Sequence, residues 1–174
     1  SYLVQLHYTS QEQIEAGVKG GEGYQRILCM DSFPGVNGEP DKLIMGTDIN
    51  GIWKHENGEW RSSSGPGSTD TFFSAGVMDI AFHPFDSQII YAIGASVNNT
   101  IGASDLKKTG VYRSTDGGDT WKFLHQFYCV TKSMANLISF ETNGNSVTGV
   151  YVGTQRLDKE GAEVQQGGLL KSTD

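Results

Sequence analysis

The sequence predicts an all-β fold of short antiparallel strands joined by tight turns. The chain of 174 residues contains 23 glycines and 4 prolines, and short apolar runs alternate with clusters of Gly, Ser, Thr, Asn and Asp. This alternation is typical of many short strands. A further signal is the turn sequence at residues 114–121, Ser-Thr-Asp-Gly-Gly-Asp-Thr-Trp, which follows an apolar run. Its Asp-Gly pair favours a hairpin because both residues tolerate positive φ.

An internal repeat organises the chain. The apolar run at 110–113 matches the runs at 51–54 and 168–171, at spacings of 59 and 58 residues. A turn sequence follows each run, and two further apolar runs precede it. Each repeat is therefore predicted as four antiparallel strands, which is the composition of one β-propeller blade. The preceding runs lie at 26–31, 77–84 and 136–141, and at 43–47, 89–94 and 149–154.

The repeats predict the division of the chain. An N-terminal strand and a glycine-rich lead-in occupy residues 1–23, and three blades follow at 24–75, 76–134 and a shortened 135–174. Because propellers close with about four to eight blades, we expect about three blades of a larger propeller. The same longer protein or another chain would supply the remainder. An open arc of blades leaves apolar faces uncovered, so we expect the isolated chain to associate with itself.

The central turn resembles the Asp-box, or BNR repeat, of sialidases, sortilin-like receptors and xyloglucan-degrading hydrolases. All fixed letters of the pattern S-x-D-x-G-x-T-W are present, as Ser114, Asp116, Gly118, Thr120 and Trp121. The resemblance implies a β-propeller and a structural role for the box. We expect Asp116 to accept backbone N–H bonds within the turn. We also expect Trp121 to start the returning strand and to clamp the turn onto its sheet.

A second resemblance suggests a catalytic residue. Long variable loops at the strand ends opposite the Asp-box are the expected place for binding. There, residues 46–54 resemble the segment T-D-[VI]-G-G-x-Y-R of the xyloglucan-degrading two-propeller glycoside hydrolases, in which the Asp is catalytic. The resemblance implies that role for Asp48, although Asn50 replaces a family glycine. The family's second catalytic Asp lies in another propeller, which this sequence lacks.

Glycoside hydrolysis normally needs two carboxyl groups. Glu22, in the glycine-rich lead-in, is the candidate for the second one. Simpler alternatives exist for both residues. Asp48 can cap its own loop, since Asp-x-Asn-Gly is ordinary turn chemistry, and Glu22 can be a solvated loop charge.

Composition narrows the class of partner. A net charge of −7 and a pI near 5.0 argue against nucleic acid or an anionic membrane as partner. The four histidines lack metal-ligand spacing, so no metal and no cofactor are expected. The cysteines, Cys29 and Cys129, lie in apolar runs and are predicted to be buried thiols.

Two functions follow as expectations. The leading one is a secreted, carbohydrate-active protein resembling a glycoside hydrolase, whose partner is a polysaccharide of the β-glucan or xyloglucan type. The competing one is a non-catalytic propeller module of a larger extracellular protein that binds glycan or protein. A second propeller carrying another catalytic Asp in the full-length protein would distinguish them.

Overall fold

The computed structural model is built from antiparallel β-strands, which confirms the predicted all-β class. It describes residues 27–48, 51–63, 75–96, 109–127, 138–154, 157–159, 162–165 and 167–173. These ranges contain thirteen strands and no helix. Accordingly, no described segment forms an apolar helix long enough to cross a membrane.

Two four-stranded sheets follow one another along the chain, each with its strands in sequence order. Sheet 1 contains β1 (Ile27–Phe33), β2 (Lys42–Thr47), β3 (Ile52–Glu56) and β4 (Glu59–Ser62). Sheet 2 contains β5 (Ala75–His83), β6 (Asp86–Ser96), β7 (Gly110–Ser114) and β8 (Lys122–Gln126). All neighbouring strands pair antiparallel. The four-strand repeat predicted from the sequence is therefore present in both sheets.

The third repeat forms a three-stranded sheet and a separate hairpin. Its strands are β9 (Ile138–Asn143), β10 (Ser146–Thr154), β11 (Leu157–Lys159), β12 (Ala162–Gln165) and β13 (Gly168–Ser172). Sheet 3 has the order β13-β10-β9, and β11 pairs with β12 alone. The sequence predicted only a variable loop where this hairpin lies.

The turn of the first repeat shows how local sequence sets strand pairing. Asn57 and Gly58 connect β3 to β4 and have φ values of 53° and 85°. Two consecutive residues with positive φ fit a tight two-residue hairpin loop whose twist matches that of the strands. The flanking residues Glu56 and Glu59 pair directly. The Asn-Gly sequence thus fixes the register of this hairpin.

Sheet 2 lies between sheets 1 and 3. Along β6, Ile90 and Ala92 belong to the buried cluster shared with sheet 1, whereas Tyr91 and Ile93 belong to the cluster shared with sheet 3. Because both faces of β6 are covered, its apolar run is continuous rather than alternating. The first cluster comprises Ile44, Ile52, Val77, Ile80, Phe82, Ile90, Ala92, Tyr112 and Trp121. The second comprises Tyr91, Ile93, Ala95, Val111, Phe127, Val150 and Val152.

Sheets 1 and 2 approach each other closely at Gly46. A Cβ atom added there would lie 2.6 Å from both the Cys29 Sγ and the Val77 Cγ1. Cys29 is a free thiol that donates to the Val77 carbonyl at 3.4 Å. Burial, together with the charge of Asp79, raises the pKa of this thiol to about 12. Cys29 is therefore an unreactive packing residue, and Cys129 lies outside the described residues.

Candidate functional site

The Asp-box turn is held by its own polar side chains. The Asp116 carboxylate accepts the Thr120 N–H at 2.9 Å and the Thr120 hydroxyl at 2.5 Å. It also accepts the Ser114 hydroxyl at 2.7 Å. The Ser114 Oγ in turn accepts the Gly118 N–H at 2.8 Å. Asp116 is thus bonded to the turn itself, and its carboxylate has a structural role.

Two glycines give this turn its shape. Gly117 and Gly118 have φ values of 71° and 90°, in the left-handed region that L side chains rarely adopt. The Gly117 N–H donates to the Gln88 carbonyl at 2.9 Å, which ties the turn to β6. A Cβ added at Gly118 would lie 3.3 Å from the Ile44 side chain, so sheet 1 packs directly over the turn.

The turn also bonds to sheet 1. The Ser63 hydroxyl donates to the Gly118 carbonyl and accepts the Trp121 indole N–H, the latter at 3.0 Å. The expectation for Trp121 needs correction, because β8 begins at Lys122 and the indole lies in the cluster between two sheets. Trp121 therefore links neighbouring sheets. Ser63 lies in a run of three serines, which carries no signal of this role.

An ion pair reinforces the same contact. The Lys54 ammonium of sheet 1 bonds the Asp119 carboxylate of the Asp-box, and it also lies 2.9 Å from the Glu56 carboxylate. Burial alone would lower the pKa of Lys54, but the hydrogen bonds with Asp119 and Glu56 raise it above its ordinary value. The Asp-box side chains at positions 119 and 121 therefore both contribute to inter-sheet packing.

A double-mutant cycle on Lys54→Met and Asp119→Asn measures this ion pair. We expect a coupling free energy of about 0.5–1 kcal/mol, because Lys54 is buried but Asp119 is largely solvated. Urea denaturation of both single variants and the double variant at low salt gives the coupling. Lys54→Met paired with Glu59→Gln is the matched control, and additive effects for the Lys54 and Asp119 changes would contradict the expectation.

Two carboxylates join the first strands of successive sheets. Asp31 on β1 accepts the Phe82 N–H of β5 at 2.8 Å, and Asp79 on β5 accepts the Ile138 N–H of β9 at 2.6 Å. Each also accepts the N–H of the residue that follows it. Burial raises the pKa of Asp79 despite these bonds, and the nearby charge of Asp31 adds to the effect. Sequence reasoning did not identify either residue.

Asp48 lies at the other end of the sheets from the Asp-box. It directly follows β2 in the loop to β3, whereas the β3–β4 turn and the Asp-box share the opposite end through the Lys54–Asp119 bond. Thr47 closes the loop by donating its N–H and its hydroxyl to the Gly51 carbonyl, at 3.0 and 3.1 Å. Asp48 itself is only 7% exposed.

The second catalytic candidate, Glu22, lies outside the described residues, so its distance from Asp48 stays open. Within the described ranges, no three or more His, Cys, Asp or Glu side chains are grouped to hold a metal ion. No protein-family model and no curated protein sequence matches this chain. The functional argument therefore depends on the residues and their geometry.

Proposed function

We propose that the three consecutive sheets are blades of a β-propeller of the Asp-box type. Antiparallel meanders that pack face to face in chain order support this assignment. The contacts of Gly118 and Trp121 with sheet 1 support it further, since they give the Asp-box a role between adjacent sheets. The remaining blades would come from the same longer protein or from another chain.

The function proposed for this propeller is that of a secreted, carbohydrate-active protein resembling a glycoside hydrolase. The observation that carries it is the position of Asp48, in the β2–β3 loop at the strand ends away from the Asp-box. Loops at one end of a rigid β-scaffold commonly carry binding and catalytic groups. In this proposal Asp48 acts on the glycosidic bond of a β-glucan or xyloglucan, together with a second carboxyl group such as that of Glu22.

The burial of Asp48 also favours a second function, that of a non-catalytic module binding glycan or protein. A carboxyl group that acts on a polysaccharide must reach an open cleft, and Asp48 is 7% exposed. Asp31 and Asp79, the other partly buried acids in β1 and β5, already bond backbone N–H groups with their carboxylates. In this alternative, Asp48 is a loop residue and the glycan binds without being cleaved.

Cleavage of xyloglucan and mixed-linkage β-glucan by the full-length protein tests the hydrolase. We expect Asp48→Asn to reduce cleavage by at least about 100-fold, since positioned acid–base groups contribute about 10²–10⁴-fold to rate. Glu22→Gln is expected to act similarly if it is the partner. Glu39→Gln is the matched control, because Glu39 is an exposed acid in the β1–β2 loop, at the opposite end of sheet 1.

Three outcomes separate the alternatives. Full cleavage by a folded Asp48→Asn variant removes Asp48 from the mechanism. No cleavage by the wild-type protein, with retarded migration in gels containing xyloglucan, supports the binding module. Neither cleavage nor retardation on these polysaccharides contradicts the carbohydrate-active assignment in both forms. Thermal unfolding of each variant shows that it is folded before its activity is compared.

A further inference from the structure

A groove lies between sheets 2 and 3, where β7 and β13 approach their C-terminal ends. Its volume is about 460 Å³, and its walls are largely apolar. Residues of β6, β7 and β8 form one wall, and residues of β10 and β13 form the other. This groove is distinct from the loop that carries Asp48.

Strand register shows that the groove is the counterpart of the Trp121 site. Lys54 pairs with Ile44 in sheet 1, and Arg113 pairs with Tyr91 in sheet 2, so these pairs are equivalent. On the facing sheets, Ser114 pairs with Ile90 and Ser172 pairs with Val150. Extending the same registers makes Val111, Val152 and Leu170 of the groove equivalent to Ile52, Ala92 and Tyr112 around Trp121.

Burial differs between these two equivalent places. Next to Trp121, the side chains Ile44, Ile52, Ile90 and Ala92 are 0% exposed. In the groove, their counterparts Tyr91, Val111, Val150 and Val152 are 5%, 7%, 7% and 4% exposed. The groove thus presents accessible apolar walls in the arrangement that encloses an indole between sheets 1 and 2.

The charged group at the groove has an equivalent too. Lys54 bonds Asp119, which precedes Trp121 by two residues. Arg113, at the equivalent position, has its guanidinium 5.7 Å from the centre of the Tyr91 ring. Its Nε atom is buried and has no hydrogen-bond partner within the described part of the chain. A carboxylate placed as in Asp119 would supply the acceptor that this donor lacks.

We propose that the groove between sheets 2 and 3 binds a polypeptide segment containing Asp-x-Trp. The tryptophan side chain would pack between Val111 on one wall and Val150, Val152 and Leu170 on the other, and the aspartate would bond Arg113. His125, which pairs with Val111, stands where Ser63 receives the indole N–H of Trp121. This inference is independent of the proposed glycan function.

A synthetic peptide tests the proposal directly. The probe is Gly-Gly-Asp-Thr-Trp-Lys-Phe, a copy of residues 117–123, titrated into the 174-residue protein by isothermal calorimetry. We expect saturable binding, and binding at least about tenfold weaker when the peptide tryptophan is replaced by alanine, because a buried aromatic anchor dominates such contacts. Replacing the peptide aspartate by asparagine should also weaken binding.

Variants of the protein locate the contact. Arg113→Met should weaken binding of the acidic peptide and leave binding of the asparagine peptide nearly unchanged. Lys122→Met is the charge-matched control, since Lys122 is an exposed base on β8 that does not line the groove. If Arg113→Met does not fold, the comparison of the three peptides still decides the proposal.

Several results would overturn it. One is no detectable binding at millimolar peptide, and another is equal affinity for the tryptophan and alanine peptides. A third is a concentration-dependent dimer that Leu170→Asp abolishes in a protein that does not bind the peptide, which would make the groove an interface between copies of this chain. Displacement of the bound peptide by xyloglucan oligosaccharides would instead assign the groove to glycan.

Discussion

Replacing Trp121 with alanine is expected to lower the free energy of unfolding by about 3–5 kcal/mol, the usual cost of deleting a large buried aromatic side chain. Trp121 is 2% exposed and lies in the cluster that joins sheets 1 and 2. Its removal leaves a cavity there and takes away the N–H donor to Ser63. Because whole domains are stable by only about 5–15 kcal/mol, this variant should unfold at a markedly lower urea concentration.

A second tryptophan provides the control for this experiment. Trp60 on β4 is partly exposed and packs edge-on against His55, with ring centres 5.5 Å apart. Trp60→Ala should cost about 1 kcal/mol, in the range of ordinary substitutions. Urea unfolding followed by circular dichroism compares the two variants. Equal losses would show that Trp121 contributes nothing special to inter-sheet packing.

Replacing Asp116 with alanine is expected to cost about 1–2 kcal/mol at pH 7, and the loss should depend on pH. Burial by itself raises the pKa of Asp116, but the hydrogen bonds from Thr120 and Ser114 outweigh it and hold this pKa below its ordinary value. A lowered pKa stabilises the fold above the unfolded-state pKa of about 3.9. That stabilisation is lost as the pH falls through the lower pKa of the folded state.

Urea unfolding at pH 7, 5 and 3 measures this dependence. The gap in stability between the wild type and Asp116→Ala should be constant from pH 7 to 5 and narrower at pH 3. Thr120→Val removes one of the two bonds from Thr120 and should show the same trend with a smaller gap. A gap that widens in acid would mean that the Asp116 charge opposes folding.

Much of the secondary structure was predictable from the sequence because it depends on neighbouring residues. The repeated apolar runs at 51–54, 110–113 and 168–171 all lie in strands, β3, β7 and β13. The Asn57-Gly58 pair forms a turn with two positive φ values. The hairpin of β11 and β12 was missed, since residues 155–167 are mostly polar and lack the alternation that marks a half-buried strand.

The partners of the polar side chains were not predictable. Asp31 bonds Phe82 across 51 residues of sequence, and Asp79 bonds Ile138 across 59. Nothing in the sequence near either aspartate distinguishes it from an exposed strand residue, because the partner is a backbone N–H on another sheet. Ser63 joins the same group, since its bond to Trp121 spans 58 residues.

The candidate sites divide in the same way. The sequence by itself determined the Asp-box turn, whose bonds between Ser114, Asp116 and Thr120 all lie within a few residues. It also determined that Asp48 lies in a loop away from that turn, since successive antiparallel strands reverse direction. Only the tertiary structure decided that Asp48 is buried, that Trp121 lies between sheets, and that Arg113 borders an apolar groove. These features depend on which sheet faces which residue, and short-range patterns of polarity and turn chemistry do not specify that contact.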